Sequence, residues 1–121
     1  MKVEIKIKPL SVNQAWQGRR FKTPAYKKYE KEMLRMLKPE DVPEGELAVM
    51  VEIGFANKAS DIDNPLKPLL DILSKKYGFN DNKIYSLLVR KKIVKKGEEY
   101  IKVEIESAIV VDAYQFHPYY S

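Results

Sequence analysis

Residues 60–81 read SDIDNPLKPLLDILSKKYGFND, and the rest of the chain is organised around them. Leu66, Leu69, Leu70, Leu73 and Tyr77 fall at i, i+3, i+4, i+7 and i+11, which is one face of a helix. Asn64-Pro65 offers an N-cap followed by a first helical residue, and Gly78 is well placed to end the helix. Asp61 and Asp63 stand just before it, and Asp81 follows in the loop FNDNK (79–83). The helix is long enough to cross a sheet and return the chain near another strand end.

The flanking segments supply that sheet. LAVMVEIGF (47–55) is strongly apolar and reads as a central strand. After Asp81, IYSLLVRKKIVKK reads as a long strand, with a turn around Gly97 and then EYIKVEIES. Ile101, Val103 and Ile105 alternate there with charged residues, and the pair is expected to form an antiparallel hairpin. At the other end, Val3, Ile5 and Ile7 alternate with charges over residues 2–8, a half-buried strand stopped by Pro9. Residues 10–22 show neither period and read as a loop carrying Asn13, Trp16, Arg19, Arg20 and Lys22. Thr23-Pro24 is a helix start, Tyr26, Tyr29, Met33, Leu34 and Leu37 form an apolar face, and Pro39 is the stop. Lys27, Lys28, Lys31, Arg35 and Lys38 crowd the other positions. The order is β-α-β-α-β-β, an α+β single domain with helices on a mixed or antiparallel sheet. The domain is read as 1–108, and 109–121 as an apolar, aromatic tail holding Tyr114, Phe116, Tyr119, Tyr120 and the single histidine, His117.

Bulk properties narrow the class. A chain of 121 residues suits one domain, which buries roughly two thirds of its unfolded surface. With no cysteine there is no disulfide framework and no Cys-based zinc site, which fits a reducing, cytoplasmic setting. The N-terminus MKVEIKIKPL has no apolar core of a signal peptide, and no run approaches the ~18 apolar residues of a membrane span. The net charge of +5 favours polyanions, nucleic acid first among them. Trp16, Arg19, Arg20, Lys22, Lys27 and Lys31 are the candidates for stacking and phosphate contact, with solvated side chains as the plain alternative.

Against this basic background the acidic pair stands out. In extended backbone Asp61 and Asp63 point to one side, where two like charges call for a counter-ion. Mg²⁺ prefers such hard oxygen donors and accepts substrate phosphates as further ligands. Lys67 sits in the first helical turn, where the helix dipole disfavours a cation, and Asp71 follows at i+4, the poorer order for an ion pair. A phosphoryl oxygen is a better reason for that lysine. Asp81 offers a third carboxylate. The plain alternative is an Asx-turn and helix cap with solvated acids. An EF-hand is excluded, since Leu66 and Ile72 occupy the positions that need glycine and glutamate. A glycosyltransferase D-x-D does not suit so short a chain.

The string DIDNxxK (61–67), a helix, and then NDNKI (80–84) resembles the RusA family of Holliday junction resolvases. PLSVN (9–13) is similar to that family's loop after the first strand, and the resemblance covers roughly residues 2–106. It implies a homodimeric, Mg²⁺-dependent endonuclease, with Mn²⁺ as a substitute, that nicks opposing strands of four-way junction DNA in recombination and repair. It also implies that Asp61, Asp63 and Asp81 are the metal ligands and that Lys67 is the catalytic lysine. Asn64 and Asp71 lie beside them in supporting positions. Pro65 and Pro68, which bracket the lysine, depart from the family pattern, and the tail beyond Ser107 has no counterpart in it. Two rival readings follow from the same residues: a non-catalytic nucleic-acid-binding module, and a protein–protein adaptor acting through the aromatic tail.

Overall fold

The computed structural model describes residues 1–17 and 21–109. The elements run β1 (Lys2–Ile5), α1 (Val12–Ala15), β2 (Trp16–Gln17), β3 (Phe21–Lys22), α2 (Pro24–Met36), β4 (Leu47–Phe55), α3 (Leu66–Tyr77), a 3-10 turn (Asp81–Lys83), β5 (Ile84–Ile93) and β6 (Tyr100–Ser107). Four strands form a mixed sheet in the order β1-β6-β4-β5. β4 is antiparallel to β6 and parallel to β5, and β1 is antiparallel to β6. Among the described residues no helix is long and apolar enough to cross a membrane.

One face of the sheet carries the core. Val49, Val51 and Ile53 of β4 lie opposite Ile105, Val103 and Ile101 of β6, all buried. Tyr26, Tyr29 and Met33 of α2 and Leu69, Ile72 and Leu73 of α3 join them in one cluster. Each such aliphatic side chain contributes about 1.5–3 kcal/mol by leaving water. α2 begins where Thr23-Pro24 predicts: the Thr23 hydroxyl accepts from the Tyr26 N–H at 3.1 Å. α3 ends at Gly78, whose φ of +69° is one that a side chain would resist.

The other face is a charge lattice around Glu52. Its carboxylate accepts from the Tyr100 hydroxyl at 2.8 Å and lies 3.7 Å from Lys102 and 3.9 Å from Arg90. The Tyr100 bond holds Glu52 below the usual carboxylate range, and burial followed by that same bond pushes the Tyr100 phenol up to about 12. The ring packs onto Gly54, where a Cβ would stand 2.5 Å from it. Gly54 therefore reads as a close-approach position within the central strand.

Three expectations are corrected. β5 and β6 do not form a hairpin, because β4 lies between them. α3 returns the chain so that β5 runs parallel to β4, and residues 94–99 then carry it past the end of β4 to the far side. β4 thus has both edges paired, as its largely apolar composition suits. Residues 10–22 are not a plain loop. Ser11 and Gln14 form the start of the short α1, with the Ser11 N–H donating to Gln14 Oε1 at 3.3 Å, and β2 pairs with β3. The S-x-x-Q spacing of a capping box was the available signal. Finally, α3 starts at Leu66, not Pro65. Pro65 is the cap residue, and the Asn64 side chain bonds Asp61 instead of capping. This start places Pro68 in the first turn, where a missing N–H costs nothing, and the Leu69 N–H donates to the Pro65 carbonyl at 3.2 Å.

Candidate active site

Asp61 and Asp63 lie in the turns that join β4 to α3, and both are exposed. The Asn64 amide donates to Asp61 Oδ2 at 3.4 Å, and the Asp63 carbonyl accepts from the Leu66 N–H at 3.1 Å. Asp61 lines a cleft of about 380 Å³ together with Lys8, Ser11, Gln14, Asn57 and Asn64. The approach to this loop is fixed from two sides. Asn57 Oδ1 accepts from the Ala59 N–H at 2.9 Å, an Asx-turn. Lys91 of β5 reaches across with its ammonium donating to the carbonyls of Lys58, at 2.7 Å, and Ser60. Sequence reading missed this role, because in the run Arg90-Lys91-Lys92 the middle lysine looks like any other surface charge.

Lys67 stands in the first turn of α3 and pairs with Asp71 Oδ1 at 3.0 Å. The expected poor order of that pair does not prevent it. The bond to Asp71 raises the Lys67 pKa, with burial opposing and the charges of Asp71 and Asp81 adding. Asp71 also faces α2. Tyr26 is buried there, and its phenol is pushed up to about 12 by burial, with Asp71 and Glu30 adding. Asp81 opens the 3-10 turn and is exposed. It follows the C-terminal end of α3, whereas Asp61 and Asp63 precede the helix, yet it is near enough to Lys67 for its charge to act on that ammonium. Among the described residues, no group of three or more acidic, histidine or cysteine side chains is close enough to hold an ion together.

The candidate DNA-contact residues separate into two sets. Lys22 is engaged, paired with Glu30 at 2.9 Å and set 4.9 Å over the Tyr26 ring. Asn13, Lys27 and Lys31 are exposed, and α1, which carries Asn13, packs against both α2 and α3. Arg19 and Arg20 lie outside the described residues, as do residues 110–121 of the tail.

A protein-family model for endodeoxyribonuclease RusA matches residues 9–106. The chain belongs to the RusA endodeoxyribonuclease family. The match takes in the Asp61-to-Lys67 string, the whole of α3, Asp81 and the sheet that carries them. It also accounts for the α+β architecture and its mixed sheet. Comparison with curated proteins gives no match.

A RusA enzyme that uses a divalent ion needs hard oxygen donors free to bind it. Asp61, Asp63 and Asp81 are exposed carboxylates, and among the described residues none is in an ion pair. Most carboxylates of the sheet faces are, by contrast, already neutralised by lysines. The donor chemistry therefore suits Mg²⁺, with Asp61 and Asp63 on one short turn and Asp81 apart from them.

Proposed function

We propose that this RusA-family chain is a Holliday junction resolvase, a homodimer that nicks opposing strands of a four-way DNA junction with Mg²⁺ as cofactor. The observation that carries the reading is the family match over residues 9–106, which spans all four residues of the motif. Asp61 and Asp63, on one turn, would hold the ion, with Asp81 as the third donor that the family motif implies. When bound, it supplies charge neutralisation at the scissile phosphate and a water that ionises near neutral pH. Lys67, paired with Asp71, donates to a phosphoryl or leaving oxygen as charge develops there. Asp71 fixes the lysine's direction, and Asn64 holds one oxygen of Asp61. The exposed lysines of α2 give the surface its affinity for phosphates. A cytoplasmic setting belongs to the same proposal, in keeping with a cysteine-free chain.

The test is binding and cleavage of a synthetic four-way junction against a linear duplex of the same sequence. The proposal expects Mg²⁺-dependent nicking of the junction alone. It also expects junction binding whose logarithm falls with log salt at roughly 0.9 per phosphate contacted. Salt-insensitive, weak binding would favour a protein-binding adaptor. Tight binding without nicking in Mg²⁺ or Mn²⁺ would favour a non-catalytic module.

Lys91 adds a second expectation. Lys91→Met frees the carbonyls of Lys58 and Ser60 and loosens the turn that bears the aspartates. Nicking under single-turnover conditions should fall about 10- to 100-fold, the usual cost of losing an outer support of a metal ligand. Amide exchange over residues 58–61 should quicken while β4 stays protected. Unchanged exchange there would refute the anchoring role.

A further inference from the structure

The cleft of about 380 Å³ beside Asp61 has room for one nucleotide, since sites for small ligands run upward from about 300 Å³. Its polar wall holds carboxamides whose orientation is set from behind. Gln14 Oε1 accepts from the N–H and the hydroxyl of Ser11, both at 3.3 Å, which leaves the Gln14 amino group as the free end. Asn57 Oδ1 accepts from the Ala59 N–H, so there too the amino group is the free end. Asn64 is reversed: its amino group is taken by the Asp61 carboxylate, a pure acceptor, and its oxygen is left. The wall therefore offers two donors and one acceptor of fixed polarity, and nucleobase edges are read by such patterns.

The same cleft carries cations. Lys8, from the segment after β1, and Lys96, from the turn between β5 and β6, both line it. Both are exposed, and among the described residues neither is in an ion pair. Lys2, Lys6, Lys22 and Lys102 differ, because Glu104, Glu4, Glu30 and Glu52 already meet their charges. Glu99, the cleft's carboxylate besides Asp61, accepts from the Gly97 N–H at 2.7 Å within its own turn. Free ammonium groups beside fixed neutral amides suit a ligand that is anionic at one end and a polar ring at the other. A nucleotide has that form.

We propose that this cleft receives one unstacked nucleotide of the cut strand, next to the scissile phosphate, with Gln14 and Asn57 donating to its base and Lys8 and Lys96 holding its phosphate. The proposal deepens the nuclease reading, and it rests on that reading only for the place of the nucleotide beside the cut. Asp61 forms part of the cleft wall, so an occupant lies against the acidic turn. In a continuous duplex a base must leave its stack and its partner to enter, which costs free energy. At a branch point the stack is already interrupted, and the same capture costs less. The cleft thereby adds a selection for branched DNA to the one that backbone shape supplies.

Binding is tested without cleavage, by following the side-chain amide resonances of Gln14 and Asn57 in EDTA. The wild type is titrated with deoxynucleoside monophosphates and, separately, with deoxyribose phosphate, which lacks a base. The nucleotides should move both amides saturably at millimolar concentration, and the sugar phosphate should leave them in place. Amides that stay still, or that move equally with both probes, overturn the cleft whether or not the protein proves to be a nuclease. For the place beside the cut, single abasic residues are set in turn at the nucleotides flanking the cut in a four-way junction. One position should slow single-turnover nicking by the wild type about 10- to 100-fold. Gln14→Glu and Asn57→Asp together keep the bonds to Ser11 and Ala59 and replace each free amino group with an oxygen. In that double variant the loss at the same position should vanish. An even loss at every position, or an equal loss in the wild type and the double variant, overturns the assignment. Amides that respond to nucleotides in a protein that nicks no junction support the cleft and remove the nuclease reading instead.

Discussion

Asp63→Asn is expected to abolish junction nicking while leaving the fold and junction binding in place. The carboxylate is exposed and has no ion pair, so its loss as a charge changes stability by no more than ~0.5 kcal/mol. It removes one of two adjacent hard donors, and an amide oxygen is a poor substitute for a carboxylate toward Mg²⁺. A loss on the order of 1,000-fold in the single-turnover rate corresponds to ~4 kcal/mol of transition-state stabilisation, in the range of a lost electrostatic contact at a phosphoryl centre. Binding should hold or strengthen, because the variant carries one fewer negative charge toward DNA. The measurement is single-turnover cleavage alongside a gel shift in EDTA. Activity within ~10-fold of wild type would remove Asp63 from the chemistry.

The largest effect on stability is expected at Leu73. Its side chain is fully buried on α3 against the sheet, in the cluster with Ile72, Leu69 and Ile53. Leu73→Ala loses the transfer free energy and leaves a cavity, about 2–5 kcal/mol, against the roughly 5–15 kcal/mol that holds a domain of this kind. The thermal midpoint should fall by roughly 10–25 °C. The variant tests more than packing, since α3 sets the distance between Asp63, Lys67 and Asp81. Urea unfolding with an unchanged slope and a midpoint within ~0.3 M of wild type would contradict the packing described. Lys67→Met is a useful contrast, because the exposed Lys67–Asp71 pair is worth only ~0–1 kcal/mol to the fold.

Much of this was legible in the residues. The 3.6-residue period of Leu66 to Tyr77, the Thr23-Pro24 start and the Gly78 stop marked both long helices, because local chemistry decides those points. The apolar run 47–55 marked the central strand. The pairing of β5 was not legible. A turn at Gly97 between two strands suggests a hairpin, and only the crossover through α3 determines that β4 stands between them. The contact of Gly54 with Tyr100 and the reach of Lys91 to the 58–60 turn are likewise tertiary, since each joins residues over thirty positions apart. The motif itself was visible as DIDNxxK before α3 and Asp81 after it, but how near its parts come in space was not, because sequence spacing does not say how a helix is laid across a sheet.

The most direct measurement maps nicks on a synthetic mobile four-way junction in Mg²⁺, comparing wild type with Asp63→Asn. The account predicts symmetric nicks in two opposing strands by the wild type, none by the variant, and a retained junction complex for both. A wild type that binds the junction and leaves all four strands intact, or a variant that cuts as the wild type does, would contradict it.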